Sequence, residues 1–134
     1  MTLRRAAAAA GATAALLAAC AHPATRPEGP ANDREGRPAV ETGVASFYSE
    51  SLEGRRTASG GRYRGQRMTC AHRRYPFGSV LRVTEVESGK SVLVEVTDRG
   101  PFAEGRIVDL SYAAARALGI LERGVARVRV ERVR

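Results

Sequence analysis

Apolar and polar residues alternate along the last two thirds of the chain, and this pattern predicts short β-strands. Alternating runs occupy residues 44–48, 80–86, 91–96, 106–110 and 126–131. A short apolar strand is also expected directly before His72. Glu87-Ser88-Gly89-Lys90 separates two of the runs, and Ser-Gly between alternating segments is typical of a tight hairpin. The last run alternates apolar and charged residues, as a strand with one solvated face does.

One helix is predicted between the last two strands. Ser111 can cap its N-terminus, residues 113–118 favour helix, and Gly119 can end it. Residues 42–134 therefore predict one mainly β domain with a single short helix. Closure into a small barrel would remove the exposed edges that such short strands otherwise leave.

The N-terminal pattern is of a different kind. Arg4 and Arg5 precede 14 small or apolar residues, Ala6 to Ala19, a run shorter than the roughly 20 residues of a membrane span and typical of a secretory signal. The run ends in Leu17-Ala18-Ala19-Cys20, which resembles the lipobox of bacterial lipoproteins. We therefore expect residues 1–19 to be a signal peptide and Cys20 to carry lipid. Ordinary secretion, with cleavage after an Ala-x-Ala site, is the alternative.

Residues 20–41 predict a flexible tether, because they hold four of the six prolines and show no apolar periodicity. Acyl chains on Cys20 would anchor the protein to a membrane without a spanning segment. Ala21 is not the aspartate that usually retains lipoproteins in the inner membrane, so we expect the outer membrane, facing the periplasm. With Cys20 acylated, Cys70 has no partner for a disulfide and is predicted to be a small buried apolar residue.

The charge balance indicates an anionic partner. The chain has 22 Lys+Arg against 14 Asp+Glu, and loss of Arg4 and Arg5 with the signal leaves an excess of six. All but Lys90 are arginine, which is suited to bidentate contact with carboxylates. Nucleic acid is excluded by the export signal, so the expected partner is an anionic polymer outside the cytoplasm, such as the bacterial cell wall. The sequence shows no cofactor site and does not indicate an oligomeric state.

Five short motifs carry a resemblance to a known family. They are Gly43-Val44-Ala45-Ser46-Phe47-Tyr48, Arg56-Thr57-Ala58-Ser59-Gly60, Cys70-Ala71-His72 with Pro76, Thr97-Asp98-Arg99-Gly100-Pro101-Phe102, and Arg106-Ile107-Val108-Asp109-Leu110-Ser111. Their order and spacing over residues 43–130 resemble the rare lipoprotein A (RlpA) family. The resemblance implies a six-stranded double-psi β-barrel, related in fold to expansins. It also implies an endolytic lytic transglycosylase that cuts peptidoglycan glycan strands lacking stem peptides and leaves 1,6-anhydro-N-acetylmuramic acid ends.

The chain departs from the family pattern in two places. Many members carry a C-terminal SPOR domain that binds glycan, whereas this sequence stops at Arg134, so we expect that domain to be missing. The family usually has a glutamate after Thr-Ala-Ser/Asn-Gly, and this chain has Gly61 there. Loss of that carboxylate keeps open a second interpretation, a non-catalytic, expansin-like lipoprotein that binds peptidoglycan.

Asp98 matches the other acidic residue of the family and is the predicted catalytic group. A lytic transglycosylase uses the substrate's own C6 hydroxyl as nucleophile, so one carboxyl can act first as acid and then as base. The alternative is that Asp98 shapes the turn at Asp-Arg-Gly-Pro. His72 is predicted to assist by orienting Asp98 or binding a sugar hydroxyl, or else to be a hydrogen-bonded structural residue. We expect no metal site, because the other histidine, His22, lies in the tether.

The resemblance and the residue types also suggest how substrate would be bound. The predicted substrate-binding residues are Tyr48, Thr57, Ser59, Arg99 and Phe102. Tyr48, Phe102 and also Tyr63 could stack on sugar rings or pack in the core.

Other charged residues have open roles. Arg55, Arg56 and Arg62 flank the Thr57–Gly60 loop and would favour an acidic polymer or form a solvated face. Glu50 and Glu53 are candidates to replace the missing glutamate. Asp109 is expected to be structural and to pair with an arginine such as Arg99 or Arg106.

Overall fold

The computed structural model describes residues 39–134, which form a closed six-stranded β-barrel with one short α-helix. The strands are β1 (Val40–Phe47), β2 (Thr69–His72), β3 (Val80–Glu85), β4 (Ser91–Asp98), β5 (Arg106–Leu110) and β6 (Ala126–Arg132). The helix α1 spans Tyr112–Leu118, and a 3-10 turn spans Glu50–Leu52. The predicted fold class is confirmed. The predicted signal peptide, residues 1–19, and residues 20–38 of the predicted tether lie outside the described residues.

The strands close in the order β1-β5-β2-β4-β3-β6, with β6 pairing back to β1. The pairs β1/β5 and β2/β4 are parallel, and the other four neighbouring pairs are antiparallel. Every strand therefore has a partner on both sides, and closure leaves no open sheet edge.

The barrel interior is filled by alternate residues of the strands, as the apolar pattern predicts. Leu81 and Val83 of β3, with the valines of β4 and β6, are buried, while their neighbours in sequence point outward. Cys70 is buried in this core, and burial raises the pKa of its thiol. The thiol therefore stays neutral, and the prediction of a small buried residue is confirmed.

The ends of α1 follow the predicted caps. The hydroxyl of Ser111 accepts a hydrogen bond from the backbone N–H of Ala114 at 3.3 Å. Gly119 ends the helix in the left-handed region, with φ of 80°, a conformation that glycine adopts without strain. Within residues 39–134, no helix is long and apolar enough to cross a membrane.

The first strand begins earlier than the sequence indicates. We predicted a strand from Val44 and a tether as far as Glu41, but β1 starts at Val40. Val40 pairs with Glu131 and Glu41 pairs with Val130 of β6. The extension depends on the length of a strand almost ninety residues further along, which local pattern does not reveal.

An irregularity between β2 and β4 decides where Asp98 points. Cys70 pairs with Val96, but the next residue of β2 pairs with Asp98, so Thr97 is an extra residue in β4. Before this bulge, even-numbered residues of β4 point inward and Glu95 points outward. The extra residue shifts the alternation by one and turns Asp98 to the outer side, an effect typical of β-bulges beside active sites.

Candidate active site

Three hydrogen-bond donors hold the carboxylate of Asp98 at the end of β4. Its Oδ1 accepts the backbone N–H of Ala58 at 2.8 Å and that of Arg99 at 2.9 Å. Its Oδ2 accepts the hydroxyl of Tyr48 at 2.5 Å. These contacts fix the carboxyl group between the bulged strand, the loop after β1 and the 57–60 loop. The side chain has no arginine partner within ion-pair distance among the described residues.

Tyr48 is held as a donor toward Asp98. Burial raises the pKa of the Tyr48 phenol, and the hydrogen bond to Asp98 and the negative charge of the Asp98 carboxylate raise it further. The phenol therefore stays protonated at any pH at which the fold operates. Its ring lies against that of Tyr63, with centroids 4.6 Å apart and planes tilted by 52°, so packing as well as hydrogen bonding fixes its position.

Asp98 opens onto a groove outside the barrel. Three adjoining hollows share Tyr63 as a wall, and we call them together the Tyr63 groove. The Asp98 hollow has a volume of about 320 Å³ and is also lined by Tyr48 and Thr57. The second hollow, of about 540 Å³, is lined by Thr57, Gly61 and Thr97 among others. The third has about 450 Å³.

The 57–61 loop carries two of the predicted substrate-binding residues into the groove. Thr57 and Ser59 both line the 540 Å³ hollow, and their hydroxyl oxygens lie 2.9 Å apart. The N–H of Ser59 donates to the carbonyl of Thr97 at 3.2 Å, which ties the loop to the bulge of β4. The structure thus brings Thr57, Ser59 and Asp98 together, as the motifs predict.

His72 lies away from the groove. Its ring is buried, and Nδ1 accepts the backbone N–H groups of Arg74 and Tyr75 at 3.1 and 3.2 Å. Nε2 lies 3.0 Å from the carboxylate of Glu41 and must carry the proton it donates there. His72 neither contacts Asp98 nor lines any of the three hollows. This geometry does not support the expected role of His72 in orienting Asp98 or binding a sugar hydroxyl. The ring instead connects β2 to β1 through its contact with Glu41.

Arg99 lines none of the three hollows, so its role in binding substrate stays a prediction. Its guanidinium donates to the carbonyl of His72 at 3.2 Å and lies 3.9 Å from the centroid of the Phe77 ring. Its contribution to the site is the backbone N–H that holds Asp98. Phe102 is 82% exposed and lines none of the three hollows, so its stacking role stays a prediction.

The predicted substitutes for the missing glutamate occupy a different part of the groove. Glu50 and Glu53 line the 450 Å³ hollow, whereas Asp98 lines the 320 Å³ hollow. Glu53 accepts the N–H of Gly65 at 2.8 Å and lies 3.7 Å from Arg64. Its carboxylate is therefore already bound to the loop that contains these two residues.

Asp109 has the structural role that was predicted. It lies 2.5 Å from the guanidinium of Arg106, one of the two arginines named as its possible partners, and accepts the hydroxyl of Ser46. These contacts join β1 to β5 beneath the site. Tyr63, by contrast, is only 4% exposed and its hydroxyl accepts the N–H of Tyr112, so it shapes the groove and offers little ring face for stacking.

Arginines surround the Tyr63 groove. Arg55 and Arg56 line the Asp98 hollow, and Arg62 lines the 540 Å³ hollow, as their positions beside the 57–60 loop predict. Arg64 and Arg67 add two further guanidinium groups at the larger hollow. The five arginines outnumber Glu95 and Asp98 in these two hollows, whereas Glu50 and Glu53 line the third. The excess of positive charge beside Asp98 attracts ligands of the opposite sign.

Three residues of this region were not found from the sequence. Glu41 was assigned to the tether but pairs with His72. Arg73 donates to the carbonyls of Pro101, Ala103 and Arg106 and so holds the loop after Asp98. Glu95 lines the 540 Å³ hollow. Its position in the alternating strand indicates an outward-facing side chain, but it does not indicate which loop lies over that face.

Comparison with protein families and curated proteins gives one consistent answer. Residues 40–130 match the family model described as "Lytic transglycolase". The chain is 52% identical over 91 residues to the "Probable endolytic peptidoglycan transglycosylase RlpA" of Nostoc sp., covering 66% of this chain and 24% of that protein. It is 47% identical over 92 residues to the "Endolytic peptidoglycan transglycosylase RlpA" of Vibrio cholerae, covering 69% and 35%. The match thus spans about a quarter to a third of the length of these relatives.

Solved structures show the same fold in proteins of other kinds. The Streptomyces papain inhibitor aligns with a TM-score of 0.60 at 24% identity, over 73% of this chain and 97% of that one. An expansin of Clavibacter michiganensis aligns with a TM-score of 0.55 at 27% identity, over 72% and 51%. With a family match that covers the whole barrel and relatives at this level of identity, the chain belongs to the rare lipoprotein A family of double-psi β-barrel proteins.

Proposed function

We propose that this protein is an endolytic lytic transglycosylase that cleaves the β-1,4 bond between N-acetylmuramic acid and N-acetylglucosamine in peptidoglycan. The observation that carries the proposal is the position of Asp98, a carboxyl group fixed by three donors at a hollow of about 320 Å³. The names of the family's relatives, endolytic peptidoglycan transglycosylases, support the same reaction.

The reaction follows from one carboxyl group acting twice. Protonated Asp98 gives its proton to the bridging oxygen as the bond from muramic C1 to that oxygen breaks, which frees the 4-hydroxyl of the glucosamine. The C6 hydroxyl of the same muramic residue then bonds to C1 and passes its proton to the Asp98 carboxylate. The product is a 1,6-anhydro ring, no water is consumed, and Asp98 ends protonated again.

The neighbours of Asp98 assist the first half of this cycle. The Tyr48 hydroxyl and the two backbone N–H groups stabilise the carboxylate that forms when Asp98 gives its proton to the bridging oxygen. Because the nucleophile belongs to the substrate, its high effective concentration replaces a second group that would position water. Thr57 and Ser59 line the neighbouring hollow, and their hydroxyls would hydrogen-bond sugar oxygens.

The arginines of the Tyr63 groove support a preference for glycan strands without stem peptides. Removal of the peptide leaves a free lactyl carboxylate on each muramic residue, and guanidinium groups bind carboxylates well. Arg55 and Arg56 at the Asp98 hollow, and Arg62 and Arg67 beside it, provide this positive charge.

The decisive experiment compares the protein with its Asp98→Asn variant on purified stem-free glycan. We expect anhydro-ended fragments from the wild type, and a loss of turnover of at least about 1000-fold in Asp98→Asn, because removing the acid and base abolishes both proton transfers. Glu104→Gln, which removes an exposed carboxylate that lines none of the hollows, should leave turnover unchanged. Retained binding to glycan without any product from the wild type would instead establish a non-catalytic binding protein.

We further propose that the protein is a lipoprotein of the outer membrane, anchored through Cys20 and facing the periplasm. The charged start, the apolar run and the Leu17-Ala18-Ala19-Cys20 sequence support this placement. Palmitate labelling in cells should mark the wild type and not a Cys20→Ala variant. Equal labelling of both, or recovery of the wild type in the soluble periplasmic fraction, would contradict it.

A further inference from the structure

We infer that Glu95 supplies a second carboxylate to the substrate groove and stabilises the positive charge that develops on the sugar as the glycosidic bond breaks. This inference rests on the proposed function. Glycosidic cleavage passes through an oxocarbenium-like state, and glycoside-cleaving sites usually place two carboxyl groups around the bond. Asp98 alone handles the protons, so a second negative charge nearby would act electrostatically.

The bulge in β4 places Glu95 and Asp98 on the same outer face. Glu95 points outward in the regular part of the strand, and the extra residue Thr97 turns Asp98 to that side as well. Three residues of strand separate their α-carbons by roughly 10 Å at most, at about 3.3 Å per residue. Without the bulge the two carboxylates would lie on opposite faces of the sheet.

Both carboxylates open onto neighbouring parts of the Tyr63 groove. Glu95 lines the 540 Å³ hollow and Asp98 the 320 Å³ hollow, and Thr57 and Tyr63 are walls of both. A sugar chain lying along the groove would therefore pass both groups.

Glu95 is available for substrate because it is not already engaged. Across residues 39–134, its carboxylate makes no ion pair within 4.0 Å and no hydrogen bond. Glu50 is likewise unpaired, but it lines the 450 Å³ hollow, which contains neither Asp98 nor Glu95. Three other carboxylates near the site are engaged with the protein. Glu53 holds Gly65, Asp109 pairs with Arg106, and Glu41 pairs with His72.

Gly61 leaves room for a side chain in the hollow that Glu95 lines. It lines the same hollow, and a Cβ built there would meet only the Thr57 hydroxyl oxygen, at 3.9 Å. Its φ is outside the left-handed region, so a side chain at this position introduces no backbone strain. A carboxylate introduced at residue 61 would therefore enter the hollow that Glu95 faces, which provides a direct test of the role of charge.

The test measures turnover of stem-free glycan by Glu95→Gln, by Gly61→Glu, and by the double variant. We expect Glu95→Gln to lower kcat by about 10- to 100-fold with little change in KM, since the charge matters most in the transition state. Gly61→Glu should restore most of the lost kcat in the Glu95→Gln background. A purely structural role of Glu95 would not be restored in this way, and the thermal unfolding midpoint should be the same in all variants.

Glu122→Gln is the matched control, because it removes one exposed carboxylate that lines none of the hollows; its kcat should equal that of the wild type. Wild-type turnover in Glu95→Gln, or a loss that Gly61→Glu does not restore, would overturn the role of Glu95. If Asp98→Asn is inactive in the same assay, the transglycosylase proposal still stands. Absence of product from the wild type would remove both proposals together.

Discussion

At the scale of single residues, the carboxyl group of Asp98 is held through both of its oxygens. Its Oδ1 shapes the turn, because it accepts the N–H of Arg99 that follows it. Its Oδ2 accepts the hydroxyl of Tyr48, and the side chain lines the 320 Å³ hollow. Asp98 therefore shapes the turn, and in the proposed mechanism the same carboxyl group also transfers the protons.

Replacing Tyr48 by Phe tests the second of these contacts. The variant keeps the ring that packs on Tyr63 but loses the hydroxyl that donates to Asp98. We expect turnover to fall by about 10-fold or more, and the free energy of unfolding to fall by no more than about 1.5 kcal/mol, because one hydrogen bond is lost at a partly solvated site. Assays of glycan cleavage and urea denaturation measure the two effects.

Tyr75→Phe is the control, since it removes a phenol hydroxyl beside His72, outside the three hollows. Its turnover should match that of the wild type. Unchanged turnover in Tyr48→Phe would show that Asp98 needs no donor on Oδ2.

At the scale of elements, the site depends on how strands from distant parts of the chain meet. Asp98 points outward because β4 has one extra residue, Thr97, where it pairs with β2. On the other side, Glu41 of β1 accepts a hydrogen bond from His72 at the end of β2, and the carbonyl of His72 accepts one from Arg99. The backbone around Asp98 is thus connected to β1 through partly buried polar contacts.

The Glu41–His72 contact makes stability depend on pH in a defined direction. The hydrogen bond from His72, assisted by the positive charges of Arg74 and Arg73 and opposed by burial, lowers the pKa of Glu41 from its ordinary value of 4.5. A lowered carboxyl pKa stabilises the fold above the ordinary value, and that contribution is lost as the pH falls through the lowered pKa. We therefore expect the wild type to be more stable than Glu41→Gln above pH 4.5, with the difference vanishing below it.

Urea denaturation at a series of pH values measures this difference directly. Glu104→Gln removes an exposed carboxylate that makes no ion pair among the described residues, so it should follow the wild type at every pH. A gap between the wild type and Glu41→Gln that persists or widens in acid would contradict the assignment.

The sequence predicts features that depend on local interactions better than features that depend on contacts between distant parts of the chain. Helix α1 was predicted with both caps, because Ser111 and Gly119 act locally. The start of β1 and the outward direction of the Asp98 side chain were not predicted, because each depends on pairing with a strand distant in sequence. His72 and Arg99 belong to a recognisable motif, yet a motif does not state which side of a strand faces solvent, and neither side chain lines any of the three hollows.

At the scale of the whole molecule, the barrel provides a rigid base and the loops after β1 provide the groove. The closed sheet leaves no free edge, and the hollows around Asp98 lie outside the barrel at the bulged end of β4, where the proposed glycan strand would bind. The described residues carry 17 basic against 11 acidic side chains, and five of the arginines line the hollows around Asp98. Shape and charge together favour an extended anionic polymer over a small neutral ligand.

In the proposed mechanism the substrate's own hydroxyl, and not water, attacks the sugar opposite Asp98. The most direct measurement is mass spectrometry of the products formed from stem-free glycan in water labelled with heavy oxygen. We predict that the new muramic ends are lighter than hydrolysed ends by one water and carry no label, and that they disappear in Asp98→Asn. Labelled, hydrated ends from the wild type would contradict this mechanism, because they would show that the protein hydrolyses its substrate.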